Sequence, residues 1–235
     1  GRLALYANTT ASNNTAVGHN AGLSITTGDK NILMGGLAGD AITTGVENTA
    51  MGYGALTANV TSNYNVAVGT LALQVNTAAN NTAVGAFSLQ SNTSGTLNTA
   101  IGREALNSNT TVSNLTAVGY ASLQANTTGT NGVAVGKDAL QANTTGDNNT
   151  AVGLEALQTN TTGNNNTAVG TGALALATTA SDNTAVGRSA LGINTTGTGN
   201  VAVGRDAMDS NTTGGSSVAV GMDALQANTT SSNNV

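Results

Sequence analysis

The pentapeptide Asn149-Thr150-Ala151-Val152-Gly153 decides the fold, because close variants of it recur along the whole 235-residue chain. A Gly that follows Val, Met or Ile returns every 17 residues, with one shorter step of 16 residues between Gly69 and Gly85. A fixed period of this length is typical of solenoids and fibres. We number the repeat from this Gly, which is position 1, so the hydrophobic residue before it is position 17.

Position 1 is Gly in every copy of the repeat. Such a demand indicates either a positive φ angle or a neighbouring backbone too close for a Cβ atom. We therefore predict a structural corner at Gly18, Gly52, Gly102, Gly119, Gly136, Gly153, Gly170, Gly187, Gly204 and Gly221.

Positions 14 to 17, as in Asn166–Val169, alternate in the way that predicts a short strand, and position 17 is β-branched in most copies. The apolar pair Ala156-Leu157 predicts the start of a second strand, and no stretch has sustained helical periodicity. The expected fold is all-β, a parallel β-solenoid or β-roll of about fourteen 17-residue coils. We expect residues 1–235 to form a single array, cut from a longer fibre protein.

The large aliphatic residues of positions 5 and 17 are the candidate core or interface. A narrow coil with apolar pairs on two segments has more apolar surface than its interior can hide. We therefore expect one pair, which includes Leu140 and its equivalents, to point at neighbouring chains. The candidate residues are Leu106, Leu123, Leu140, Leu157, Val118, Val135, Val152 and Val169.

Positions 8 to 10 read Asn-Thr-Thr in most copies. Identical Asn side chains one coil apart can form an amide ladder along the stack. The predicted ladder contains Asn109, Asn126, Asn143 and Asn160. Positions 11 to 13 vary most, and the 16-residue copy loses its residue there, at Ala78-Ala79-Asn80. This variation predicts a surface loop.

Composition excludes several classes of function. Only 7% of residues are charged and the formal net charge is −5, so nothing indicates binding to nucleic acid or to an anionic membrane. No apolar run is long enough to insert into a membrane. The chain has no Cys, Pro or Trp, and the absence of Pro suits continuous hydrogen-bonded ladders.

We predict no catalytic, cofactor or metal site. His19 is the single histidine and has no partner at metal-ligand spacing, so we interpret it as an exposed residue. Acids at position 3, such as Asp138 and Glu155, alternate with basic neighbours and lack a calcium-binding pattern. Asn-x-Thr sequons at Asn126, Asn143 and Asn160 leave glycosylation open, although a role in ladders and turns explains them equally.

The motif Asn-Thr-Ala-Val-Gly-x-x-Ala-Leu, followed by Asn-Thr-Thr-Gly, resembles the repeats of trimeric fibre proteins. These include the heads of trimeric autotransporter adhesins and repeat arrays of phage tail fibres. The resemblance covers essentially the whole chain and is carried by Ala151, Val152, Gly153 and Ala156. It implies a left-handed, homotrimeric β-roll located outside the cell or on a virion.

The expected function is structural. The array would be the shaft or adhesive head of an extracellular, cell-surface or virion fibre, with itself as the main partner and an unknown receptor. Ice binding by the Thr arrays is the alternative. It is disfavoured if Thr144-Thr145 lie in a strand, because adjacent strand residues face opposite sides.

Overall fold

The computed structural model describes residues 1–235 and contains thirteen three-residue strands and no helix. It comprises two compact units, Gly1–Leu115 and Thr116–Val235. Each unit is a parallel β-solenoid in which short strands alternate with a turn and an irregular segment. The predicted all-β solenoid and its period are confirmed.

The first unit contains six parallel strands, each paired with the next in sequence. Equivalent positions of successive repeats face each other, so that Thr15 pairs with Ile32. The register survives the 16-residue step, where Val66 pairs with Thr82. The strands are β1 (Thr15–Val17), β2 (Ile32–Met34), β3 (Thr49–Met51), β4 (Val66–Val68), β5 (Thr82–Val84) and β6 (Thr99–Ile101).

The second unit contains seven strands with the same in-register parallel pairing. Thr150 pairs with Thr167, and Thr167 pairs with Thr184. The strands are β7 (Thr116–Val118), β8 (Val133–Val135), β9 (Thr150–Val152), β10 (Thr167–Val169), β11 (Thr184–Val186), β12 (Val201–Val203) and β13 (Val218–Val220).

Two details of the predicted coil are wrong. The number of coils is twelve to thirteen and not fourteen, because the repeat that begins at Gly221 contributes no strand of its own. The strand begins at position 15 and not at position 14: the buried side chain of Asn166 donates to Ala180 O and accepts from the backbone N–H of Asn183, both in the next coil.

The segment after the corner is a turn, so the predicted second strand at Ala156-Leu157 is also wrong. Ala156 and Leu157 are adjacent and both fully buried, whereas adjacent residues of a strand face opposite sides. Positive φ angles of 56° at Glu155 and 53° at Leu157 turn the chain and direct both apolar side chains inward. The turn is closed by a hydrogen bond from Ala156 N to Gly153 O, of 3.4 Å.

The core of each unit lies between the strands and these turns. Ala151 of position 16 and Leu157 of position 5 are fully buried within a single chain. The expectation that Leu140 and its equivalents point at neighbouring chains is therefore wrong. The buried leucines of the candidate set are Leu106, Leu123, Leu140 and Leu157. The turn conformation gives them an interior position that a second strand would not have given.

No helix has the length and hydropathy needed to cross a lipid bilayer.

Candidate self-association face

The corner glycine has both a positive φ angle and a neighbouring backbone too close for a Cβ atom. Gly153 has a φ angle of 137°, which lies in a region that only Gly adopts readily. A Cβ atom on Gly153 would lie 2.6 Å from the carbonyl carbon of Gly170 in the next coil. Its N–H donates to Val135 O of the preceding coil at 2.8 Å. The corner therefore fixes where each strand ends and how closely the coils stack.

The predicted amide ladder of position 8 is present in the interior. Asn160 Nδ2 donates to Asn143 Oδ1 at 2.8 Å, and Asn143 Nδ2 donates to Asn126 Oδ1 at 3.0 Å. In the first unit, Asn109 Nδ2 donates to Asn92 Oδ1 at 3.0 Å. Each amide also donates to a carbonyl three residues ahead, such as Gly146 O for Asn143. These bonds satisfy buried polar groups and hold the irregular segment against the core.

A second buried ladder lies at position 14, and the sequence interpretation missed it. The backbone N–H of Asn166 donates to Asn149 Oδ1 at 2.9 Å, and that of Asn183 donates to Asn166 Oδ1 at 3.1 Å. The Nδ2 atom of Asn166 donates to Ala180 O at 2.8 Å. The signal was the recurrence of Asn immediately before the strand, which we had interpreted as the first strand residue.

The outer loop is smaller than predicted. Position 11 is buried, because Gly163 packs against the next coil and a Cβ atom there would lie 2.0 Å from Ala180 O. Position 13, which includes Asn148 and Asn165, is exposed and has positive φ. Only positions 12 and 13 therefore form the surface part of the segment that was expected to be a loop.

The paired threonines lie outside the strands. The hydroxyl of Thr144 at position 9 donates to Thr161 O at 3.0 Å, whereas Thr145 at position 10 is exposed. Because Thr144 and Thr145 lie outside any strand, strand alternation does not disfavour ice binding. Along much of the stack, the position-9 hydroxyls form a column of side-chain to backbone hydrogen bonds.

Charged side chains form an edge next to the corner. Asp206 forms salt bridges with Arg188 and Arg205, each with a closest N–O distance of 3.0 Å, and accepts a hydrogen bond from Arg188. Lys137 Nζ lies 2.6 Å from Asp138 Oδ2, and this carboxylate raises the pKa of the lysine. His19 is exposed in the same column of positions. No three His, Asp or Glu side chains come together as a metal-binding group.

One face of the sheet in each unit is uncharged and uncovered, with Thr, Val or Ile at position 15 and Val, Met or Ile at position 17. Position 16 points inward, so positions 15 and 17 point outward, and 37% of Val152 and 36% of Val169 are exposed. Positions 15 to 17 carry no charged residue in any repeat. In each unit, we name this surface the valine face and define it by positions 15 and 17 of the strands of that unit. In the candidate set, it contains Val118, Val135, Val152 and Val169.

This arrangement divides the candidate set into two groups. The leucines of position 5 belong to the core, and the valines of position 17 belong to an uncovered surface. Parallel sheets are normally covered on both faces, and contiguous exposed apolar surfaces mark sites of association. The turn covers only the inner face of each sheet, so the valine face is the candidate functional site.

Neither a family model nor a curated protein sequence matches this chain.

Proposed function

We propose that this chain is a structural repeat segment of an extracellular or virion fibre, and that it associates with copies of itself through the valine face. The single observation that carries the proposal is the uncovered, uncharged outer face of the parallel strands, where Val152 and Val169 stand in register. The segment acts as a spacer that holds a binding tip away from its base. It has no catalytic role in this proposal.

A second copy of the chain is the partner that fits the valine face best. Side chains on this face repeat with the spacing of parallel strands, about 4.8 Å. A partner can match successive rows only if its own surface has the same period. Another copy of the chain has that period because it has the same repeats. Parallel alignment of the two solenoid axes keeps equivalent rows of side chains together. The resemblance to trimeric fibre repeats supplies the number three and the left-handed coil.

The experiment introduces charge on the valine face. Val152→Asp combined with Val169→Asp places two carboxylates where the proposal buries apolar side chains between chains, so light scattering should give the monomer mass. The matched control is Thr145→Asp combined with Thr162→Asp, at exposed positions of the same two repeats, and it should leave the assembly intact. Circular dichroism checks that both variants are folded. An unchanged oligomer in the valine-face variant would contradict the proposal.

An adhesive head is the second form of the fibre proposal. In that case the purified assembly itself binds a cell surface, and the binding is saturable. A spacer shows no saturable binding although it assembles. Substitutions at exposed positions 10 and 13, such as Thr145 and Asn148, would lower binding by a head and leave a spacer unaffected.

Ice binding remains a second candidate because the valine face also carries Thr at position 15 of three consecutive coils, Thr150, Thr167 and Thr184. It predicts a monomer whose valine face stays open to water and slows the recrystallisation of ice. The fibre proposal predicts an assembly that buries this face and leaves ice growth unchanged. A recrystallisation assay on the chain and on the charged valine-face variant separates the two functions.

A further inference from the structure

The Asn-x-Thr sequons of this chain fall into two structural sets. One set begins at position 8 and includes Asn143 and Asn160. The other begins at position 13 and has its Thr at position 15, on the strand. We name the second set the position-13 sequons: Asn13, Asn80, Asn114, Asn148 and Asn165.

In the interior of the solenoid, the position-8 amides are closed to modification. Asn143 is 1% exposed, and its Nδ2 donates to both Asn126 Oδ1 and Gly146 O. Asn160 is fully buried and makes the equivalent pair of bonds, to Asn143 Oδ1 and Gly163 O. A bulky substituent on either nitrogen would have to displace a ladder bond and part of the core.

The position-13 amides have the opposite environment. All five asparagines are exposed and lie at positive φ, between 57° and 63°. Asn148 Nδ2 donates to Asn165 Oδ1 at 3.2 Å, and Asn165 Nδ2 donates to Asp182 Oδ1 at 3.0 Å. Each of these bonds uses one of the two amide hydrogens, and the side chains lie on an exposed bend of the irregular segment. Glycosylated asparagines occupy surface turns of this kind.

We propose that the position-13 sequons are acceptor sites for N-linked glycosylation of the folded chain. In the reaction, Asn Nδ2 forms a bond to the anomeric carbon of a sugar that is activated as a nucleoside diphosphate or lipid diphosphate. The bond from that carbon to the diphosphate oxygen breaks, and the diphosphate leaves with the electron pair. The amide proton passes to a base of the transferase, so no oxidant or reductant is needed.

The modified amide remains compatible with the fold. A glycosylated nitrogen retains one N–H, which can still donate along the exposed column to the next coil. The sequon Thr is half-buried or exposed, and its side chain points outward from the strand at position 15. The acceptor asparagines lie at position 13, outside the valine face, although the sequon Thr at position 15 belongs to that face.

The test incubates the purified folded chain with UDP-glucose and a soluble N-glycosyltransferase specific for Asn-x-Ser/Thr. Peptide mass spectrometry then locates each added hexose. We expect at least about tenfold more hexose at Asn148 and Asn165 than at Asn143 and Asn160, because buried sites react only after local opening. Heat-denatured chain shows whether the transferase accepts both sets once the structure is lost.

Two substitutions at position 15 provide matched controls. Thr150→Val removes the sequon of Asn148 and introduces the residue that already occupies this position at Val133. Val133→Thr creates a sequon at the exposed Asn131 and should add one new site. The inference is overturned if Asn148 and Asn165 stay unmodified in folded chain while denatured chain reacts. Equal modification of Asn143 and Asn148 in folded chain also overturns it.

Discussion

Ala177 interrupts the buried asparagine column of position 8 and leaves the Oδ1 atom of Asn160 without a hydrogen-bond partner. The column resumes one coil later, where Asn211 Nδ2 donates to Asn194 Oδ1 at 2.8 Å. We expect Ala177→Asn to restore the ladder and raise the free energy of unfolding by about 1–3 kcal/mol, the usual range for an unsatisfied buried polar group. Chemical denaturation measures the change.

The control for this substitution is Thr179→Asn, at an exposed position of the same repeat that lies outside the buried column. It should leave stability close to that of the original chain. A loss of stability in Ala177→Asn would mean that the interior of this coil cannot accommodate the amide. The position-8 ladder would then not be compatible with every coil.

A pH-dependent effect is expected at Asp209. Burial, with a smaller contribution from the Asp206 carboxylate, raises the pKa of Asp209. The folded chain therefore holds this proton more tightly than the unfolded chain, so stability falls as pH rises through the raised pKa. Asp209→Asn should increase the free energy of unfolding at pH 7, and the gain should shrink toward pH 3. Denaturation at both pH values measures the difference.

Asp147 should behave in the opposite way. Hydrogen bonds from the hydroxyl and the backbone N–H of Thr130 lower its pKa. The charged Asp147 carboxylate stabilises the folded chain above the ordinary pKa of an aspartate. This stabilisation is lost as pH falls through the lowered pKa of Asp147. Asp147→Asn should therefore lower stability slightly at pH 7. If both variants shift stability in the same direction at pH 7, these environments are wrongly assigned.

At the residue scale, the roles of residues that recur at one position of the repeat could be predicted from the sequence. Gly at position 1 recurs in every copy because the next coil leaves no room for a Cβ atom. Asn at position 8 recurs in most copies because it forms a buried amide column, although Ile25, Ile42 and Ala177 replace it. The position of Leu157 could not be predicted in the same way. Leu is rare at positive φ, so nothing in its side chain indicates that the turn at this residue directs it inward.

The element that distinguishes core from surface is the turn at positions 2 to 7. Leu157 is fully buried in it, whereas Val152 of strand β9 is 37% exposed on the valine face. Leu157→Ala should lower the free energy of unfolding by about 2–5 kcal/mol, as for other buried leucines. Val152→Ala should lower the stability of an isolated chain much less. Urea denaturation of the two variants, under conditions that keep each monomeric, measures the contrast.

Equal losses in Leu157→Ala and Val152→Ala would contradict the assignment of the leucine to the core and the valine to the surface. The strand itself was predictable from period-2 alternation and β-branched residues. The turn was not, because Ala156-Leu157 is an apolar pair whose meaning depends on the φ angle of Glu155. The residue types in this segment do not indicate the φ angle of Glu155.

For the molecule as a whole, each repeat should be an interchangeable unit. Hydrogen bonds connect residues about 17 apart, so each coil relies on its immediate neighbours. Deletion of residues 154–170 removes one repeat and joins position 1 of Gly153 to position 2 of Thr171. The shortened chain should unfold cooperatively with nearly the original melting temperature.

Deletion of residues 154–161 is the matched control, because it shifts the register within the coil. It should lower the melting temperature strongly, as followed by circular dichroism. Similar melting of the two deletion variants would contradict the coil as the structural unit. The period of 17 was readable from the sequence, but the side of the coil that stays uncovered required the structure.

In the proposed assembly, copies of this chain cover one another's valine faces. Sedimentation equilibrium of the purified chain over a range of concentrations tests this association, because the measured mass can be compared with the 22.8 kDa of one chain. We expect a homotrimer at three times the mass of one chain. A folded species that stays at 22.8 kDa at every concentration would contradict the proposed assembly.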